Sequence, residues 1–198
     1  MFATLTGLGL STAAGLNAYI PLLVVGVLAN FTDAVKLPEG YAWLSNWGVL
    51  AVLAVLLAAE FVLDKIPAVD TVNDLVQTAV RPLSGGVVFS ATSAAAELDH
   101  STWVTEHPWV SWVLGIAMAL AVHALKSTAR PIVNVGTAGA GAPVASTVED
   151  AGSLGVSLVA IFLPLLVLVL LVGLAVFAWW LIRRVRRRRR PPATPGGA

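Results

Sequence analysis

The sequence contains no cysteine and few charged residues. Without cysteine, the chain can form no disulfide, no thiolate nucleophile and no Cys-based metal site. Charged residues make up 12% of the 198 residues, about half of the usual fraction for a soluble domain. Hydrophobic residues make up 58%, which is more than soluble core helices can use. We therefore expect lipid to surround much of the chain.

The hydrophobic residues are concentrated in long runs. The first residues, MFATLTGLGLSTAAGLNAYI, lack the basic stretch of a cleavable signal peptide, so we expect a retained membrane helix there. A membrane helix needs about 20 apolar residues, and four segments qualify: about 7–30, 46–64, 109–126 and 153–182. Tryptophans near their ends support this assignment, because indole rings prefer the headgroup level. They are Trp43, Trp47, Trp109, Trp112, Trp179 and Trp180.

Positive charge is concentrated after the last hydrophobic run. Seven of the twelve Lys and Arg residues lie in RRVRRRRR, Arg183–Arg190. Basic residues beside a membrane helix stay in the cytoplasm, so we expect a cytoplasmic C-terminus at a bacterial plasma membrane. The tail favours contact with anionic headgroups, not with nucleic acid. We expect residues 1–182 to form one polytopic membrane domain and residues 183–198 to form a disordered tail.

Two segments between the hydrophobic runs are rich in small residues, namely 66–97 and 127–148. Each contains an Arg-Pro pair followed by glycines, and proline and glycine both favour a break in a helix. Broken backbone at membrane depth needs protein or a water-filled cavity around it. The prediction is an all-α membrane protein with about four transmembrane helices and two broken or re-entrant hairpins. The hairpins would dip from opposite faces as an inverted repeat, with coincidence as the alternative.

Arg81 and Arg130 are the candidate substrate-binding residues. Each precedes a proline in one of the two small-residue segments. A guanidinium at a helix break suits an anion, and phosphate fits its planar fork. The alternative is that both arginines reach the interface or pair with carboxylates.

Further polar residues are candidates for a polar path or for proton coupling. They are Glu60, Asp64, Lys65, Asp70, Asp74, His123 and Lys126. On a helix over 69–81, Asp70, Asp74, Gln77 and Arg81 would form one polar stripe, whose alternative is the wet face of an interfacial helix. Glu60 lies inside an apolar helix, so we expect it to have a specific partner. For His123, a packing role is the alternative.

The remaining histidines and the STVED stretch support simpler interpretations. His100 and His107 show no close ligand spacing, so we expect neither a zinc site nor another cofactor. STVED resembles a capping box, in which Ser146 caps the next helix and Glu149 bonds back to it. The alternative is a salt bridge from Glu149 or Asp150 to one of the arginines.

Three stretches carry a family resemblance: GLGLSTAAGLNAYIPLL, EFVLDKIPAVDTVNDLVQTAVRP and the VED before the last hydrophobic run. They resemble a bacterial membrane family known as domain of unknown function 4126, over most of residues 5–170. The stretch from Asp64 through Asp70 to Arg81 is the most specific part. The resemblance implies a small bacterial multipass protein and no particular activity.

Three functional hypotheses follow. The first is a small transporter or channel-like protein with a midplane site for a phosphate-bearing or lipid-phosphate anion. Because four spans offer few helices to enclose a path, we expect it to be a homodimer. The second is a non-catalytic membrane scaffold. The third is a membrane enzyme that acts on a lipid phosphate.

Overall fold

The described part of the chain is built entirely from helices. In a computed structural model, residues 2–64, 67–95, 107–137 and 141–188 are described. The helices are α1 Phe2–Leu16, α2 Tyr19–Phe31, a 3-10 helix Glu39–Ser45, α3 Trp47–Leu63, α4 Pro67–Ala95, α5 Pro108–Gly136, α6 Ala142–Phe162 and α7 Pro164–Arg188. These residues contain no strand, so the expected all-α class is confirmed.

Several helices are suited to a lipid environment. Within the described residues, the first part of α5 (Pro108–Arg130), α6 and the first part of α7 (Pro164–Arg184) are long and apolar enough to cross a membrane. The 3-10 helix and α3 make a fourth span if this pair, bent by 58°, counts as one. Large apolar side chains are exposed along α3 and α7, as expected for helices that face lipid. The protein is therefore an all-α membrane protein with three to four candidate spans.

The first expected span, 7–30, is two helices and not one. Helix α1 has 15 residues and α2 has 13, so each is shorter than the roughly 20 residues that cross the hydrocarbon. They are separated at Asn17 and Ala18. The Asn17 side chain accepts from the backbone N–H groups of Tyr19 and Ile20, which stabilises the start of α2 as an N-cap does.

The expected break in segment 66–97 is wrong, because α4 is continuous from Pro67 to Ala95 and contains Pro82. Its glycines allow close packing against α5. A methyl group at Gly85 would lie 2.6 Å from the Gly115 carbonyl oxygen, and one at Gly86 would lie 2.6 Å from the Trp112 ring. The packing with α5 therefore holds the helix through its proline, and the glycines serve contact.

Segment 127–148 is broken, but not at the Arg-Pro pair. Helix α5 continues through Arg130 to Gly136, and α6 begins at Ala142, while residues 138–140 lie outside the described part. Since segment 66–97 is unbroken over its described residues, 67–95, and segment 127–148 is broken, the two do not form the expected inverted pair of hairpins. A proline in the first turn of α6 suits a helix start, because the N–H it lacks would have no helical partner there.

The fourth expected span, 153–182, is divided at Leu163. Proline disfavours a helical conformation in the residue before it, and Leu163 before Pro164 has φ −136° and ψ 57°. Helix α7 then runs to Arg188, so the first part of the predicted disordered tail is helical. Residues 189–198 lie outside the described part.

The short helix α1 is the centre of the bundle. It packs against α4, α5, α6 and α7, and most of its residues from Gly7 onward are buried. The space for α1 is narrow: a methyl group at Gly15 would lie 2.5 Å from Val122 of α5. The C-terminal end of α1, and therefore the break at Asn17, is thus held among the other helices.

Candidate functional site

Polar and charged side chains from four helices surround the break between α1 and α2. We call this group the central polar cluster. Its described members are Asn17, Glu60, Asp64, Gln77, Arg81, His123, Lys126, Arg130, Glu149 and Asp150. Eight of these residues are classed as buried, and Glu149 and Asp150 are half-buried. Such a concentration of charge away from water is stable only if the charges are paired.

The inner part of the cluster is an ion pair between α3 and α4. Arg81 Nη2 lies 3.0 Å from Glu60 Oε1, and the two side chains are 0% and 2% exposed. The expectation that Glu60 has a specific partner is confirmed. A buried pair of this kind is costly to break, because the remaining charge would have no counter-charge in a medium of low polarity.

His123 extends the inner part to α5. Arg81 Nη1 lies 3.1 Å from His123 Nδ1, and Thr78 Oγ1 lies 3.0 Å from Nε2. A guanidinium N–H only donates, so Nδ1 must accept and the ring must carry its proton on Nε2. Within this geometry His123 is a neutral imidazole that donates to Thr78.

The outer part of the cluster joins α5 to α6. Lys126 Nζ lies 2.7 Å from Glu149 Oε2, and Arg130 Nη2 lies 2.8 Å from the same oxygen. Arg130 Nη2 also lies 3.7 Å from Asp64 Oδ2 at the end of α3. Lys126 and Arg130 are four residues apart, so they share one face of α5. One carboxylate, Glu149, therefore serves two cations.

Lys126 of the cluster and the neighbouring Ser84 also bind the broken backbone between α1 and α2. Lys126 Nζ donates to the Leu16 carbonyl at 3.2 Å, and Ser84 Oγ donates to the Ala18 carbonyl at 2.5 Å. Asn17 Nδ2 donates to Asp150 Oδ1 at 2.9 Å. A helix end leaves backbone groups without intrahelical partners, and here α4 and α5 supply partners for two carbonyls, while α6 binds the Asn17 side chain. The break between α1 and α2 is thus connected to the charged side chains by direct hydrogen bonds.

The described cluster contains more carboxylates than cations. The cations are Arg81, Lys126 and Arg130, and the carboxylates are Glu60, Asp64, Glu149 and Asp150. Two buried acceptors, Glu60 Oε2 and Gln77 Oε1, have no hydrogen-bond donor within the described residues. The outer part, by contrast, has two cations on one carboxylate.

The structure brings together six of the residues that the sequence singled out: Glu60, Asp64, Arg81, His123, Lys126 and Arg130. Lys65 lies outside the described residues. Asp70 and Asp74 lie on α4, but their side chains are outside the described part. The described residues contain no group of three or more His, Asp or Glu side chains that could hold a metal ion.

The capping-box interpretation of STVED is wrong. Helix α6 begins at Ala142, four residues before Ser146, so Ser146 cannot cap it. Glu149 is instead bound to Lys126 and Arg130, which was the alternative. Lys126 and Arg130 are buried cations that need a counter-charge, and Glu149 supplies it.

Asn17 is a member of the cluster that the sequence analysis missed. Two signals were present: an asparagine inside an apolar run, and a proline, Pro21, four residues later. Asparagine is among the best helix-capping residues, and proline is favoured in the first turn of a helix. Together they indicate a helix start inside the expected span.

Comparison with known protein families identifies the family of the chain. The model of the family called domain of unknown function (DUF4126) matches residues 4–184. The chain belongs to this family. The matched region of this DUF4126 protein includes the whole central polar cluster. Comparison with curated proteins and with solved structures gives no match.

Proposed function

We propose that this DUF4126 protein is a small membrane transporter or channel-like protein that binds an anionic, phosphate-bearing substrate at the central polar cluster. Arg130 and Lys126 contact the anion, and Arg81 adds positive charge from the inner part. The observation that carries the proposal is the position of these cations: they lie at a buried break between two short helices, α1 and α2. Discontinuous helices at membrane depth are a recurrent way to build a substrate site in transporters.

Glu149 occupies the place that the anion takes. Its Oε2 is bound by Lys126 at 2.7 Å and by Arg130 Nη2 at 2.8 Å. Arg130 Nε also donates to Oε1 at 3.4 Å, so the guanidinium makes a two-bond fork that also suits a phosphate. Glu149 is half-buried, whereas Lys126 and Arg130 are buried. The Glu149 side chain is therefore the most accessible of the three. An entering anion displaces the carboxylate and takes over both cations.

Displacement of Glu149 gives a route to proton coupling. A carboxylate that loses two cations inside the bundle has lost its compensation for burial. Uptake of a proton restores neutrality, so entry of the anion and of a proton are linked. Glu60, Asp64 and His123 then form the polar path through which the proton arrives.

A structural scaffold is the second candidate function. It is favoured by the way side chains bind the carbonyls of Leu16 and Ala18 at the break, because such bonds stabilise a fold whether or not a substrate exists. Under this alternative, loss of a cation lowers stability and changes no binding.

The location and the assembly belong to the same proposal. We place the protein in a bacterial plasma membrane as a homodimer with its C-terminus in the cytoplasm, where the Arg183–Arg190 tail contacts anionic headgroups. Arg183 lies 3.8 Å from the centre of the Trp179 ring, and Arg184 lies 5.0 Å from that of Trp180. Tryptophan and arginine together at a helix end are typical of a membrane interface, which supports this orientation.

Phosphate binding and transport by purified protein test the proposal. We expect wild-type protein in discs of zwitterionic lipid to bind radiolabelled inorganic phosphate, and Arg130→Gln and Lys126→Gln each to weaken binding by about tenfold or more. Arg130→Lys keeps the charge but loses the fork, so it should bind at an intermediate level with the fold intact. Lys36→Gln, at an exposed lysine outside the cluster, is the matched control.

Two outcomes would contradict the proposal. The first is no phosphate binding by a folded wild-type protein. The second is equal binding by wild type and by the folded Arg130 and Lys126 variants, which would leave the scaffold function. Uptake of phosphate into liposomes that contain the protein then separates a transporter from a binding protein.

A further inference from the structure

An apolar groove runs along the outside of the bundle between α2, α3 and α6. Its volume is about 700 Å³, within the range of small-molecule sites. Its lining is apolar except near Thr147 and Asp150 of α6. On the wall formed by α3 the lining runs from Ala54 to Val62, and these residues lie on a helix that exposes apolar side chains. The groove is thus suited to hydrocarbon and not to water.

The two long walls of the groove lead to the outer part of the cluster. Asp64 follows Val62 at the end of α3, and Glu149 precedes Asp150 on α6. Arg130 lies between these helices, 3.7 Å from Asp64 and 2.8 Å from Glu149. Its guanidinium therefore lies beside the groove, at the C-terminal end of α3 and next to the part of α6 that lines the groove, and Lys126 shares its carboxylate.

The geometry points to a lipid phosphate as the ligand, with its hydrocarbon chain in the groove and its phosphate at Arg130 and Lys126. This inference rests on the proposed function and narrows its substrate class. The charge complementarity is between the two cations of α5 and the phosphate, which takes over the contacts of Glu149. Asp150 also lines the groove, and its Oδ1 accepts from Asn17 Nδ2 at the α1–α2 break.

The groove supplies selection and access more than affinity. A chain that moves from the bilayer into an apolar groove exchanges one hydrocarbon environment for another. Most of the binding free energy must therefore come from the phosphate. The groove still controls access. A ligand whose chain fits the groove reaches the buried cations from the lipid side, without a water-filled route.

Filling the groove tests the inference. Ala58 lines the groove and is exposed. We expect Ala58→Phe to weaken binding of tritiated dodecyl phosphate, in discs of zwitterionic lipid, by about tenfold and to leave binding of inorganic phosphate unchanged. Ala54→Phe, further along the same wall, should act in the same direction. Ala59→Phe is the matched control, because Ala59 is the neighbouring exposed alanine and does not line the groove.

The outcomes separate this inference from the proposed function. If inorganic phosphate binds and both groove variants bind dodecyl phosphate as wild type does, the lipid inference is overturned and the anion site stands. If Arg130→Gln leaves dodecyl phosphate binding unchanged, the chain alone is bound and the inference is again overturned. If neither phosphate compound binds to wild type, the proposed function fails with it.

Discussion

At the scale of single residues, burial determines what the charged side chains can do. Arg81 is 0% exposed and Glu60 is 3% exposed, so neither ion can be stabilised by hydration. Attraction within such a pair offsets a desolvation cost that is several kcal/mol for each ion. The intact pair therefore adds little to the stability of the fold, whereas one of the two ions without its partner is strongly destabilising.

This asymmetry gives the first prediction. We expect Arg81→Met and Glu60→Gln each to lower the free energy of unfolding by about 3–5 kcal/mol. The double variant should be more stable than either single variant, with a coupling energy of about 2–3 kcal/mol. A double-mutant cycle of unfolding in detergent measures this energy. Additive effects of the two substitutions would contradict the pairing.

The cluster was partly predictable at this scale. A charged residue inside an apolar helix needs a partner, so Glu60 and the arginines could be singled out from the sequence. Which residues pair could not be, because Glu60 and Arg81 come from different helices, α3 and α4, whose packing a single sequence does not display. The same limit explains why Glu149 was assigned to a cap and not to Lys126.

At the scale of helices, the break between α1 and α2 depends on Asn17. This side chain accepts from Tyr19 N and Ile20 N and donates to Asp150. It therefore fixes the start of one helix and attaches that start to α6. Asn46 caps α3 in a simpler way, since its side chain accepts from Gly48 N at an exposed position.

The two asparagines make a matched pair. We expect Asn17→Ala to lower the free energy of unfolding by about 2 kcal/mol, because a cap is lost and a partly buried carboxylate loses its donor. Asn46→Ala should cost about 0.5–1 kcal/mol. Hydrogen exchange at Tyr19 and Ile20 should accelerate in the first variant only. Equal costs for the two substitutions would show that Asn17 is an ordinary cap.

Helix existence was easier to predict than helix breaks. Long apolar runs indicated α3, α5 and α7, because lipid leaves few alternatives for their backbone. Proline and glycine were ambiguous: Pro164 ends a helix, whereas Pro82 lies within one. The difference is the packing of α4 against α5, which a single sequence does not display.

At the scale of the whole molecule, the distribution of charge predicts the orientation of the chain in the membrane. Most basic residues lie after the hydrophobic part of α7, and such residues are retained on the cytoplasmic side. Composition was thus enough to predict a membrane protein, and the charge distribution predicts a cytoplasmic C-terminus. Neither could predict that α1 would be central, because α2 and α3 are more apolar than α1.

Labelling of a single cysteine measures the orientation. The wild-type chain has no cysteine, so Ala198→Cys supplies a unique target without background. We expect a membrane-impermeant maleimide to label it in inside-out vesicles and not in intact cells. Labelling in intact cells would show that the C-terminus lies outside the cytoplasm and would contradict the prediction.

The most direct measurement of the central claim is the affinity of Glu149→Gln for inorganic phosphate. If Glu149 holds the place of an anion on Lys126 and Arg130, its neutralisation removes a competitor, and we expect the affinity to rise by about tenfold. Asp33→Asn, which neutralises an exposed carboxylate, should leave it unchanged. A folded Glu149→Gln protein that binds phosphate no better than wild type would contradict the claim.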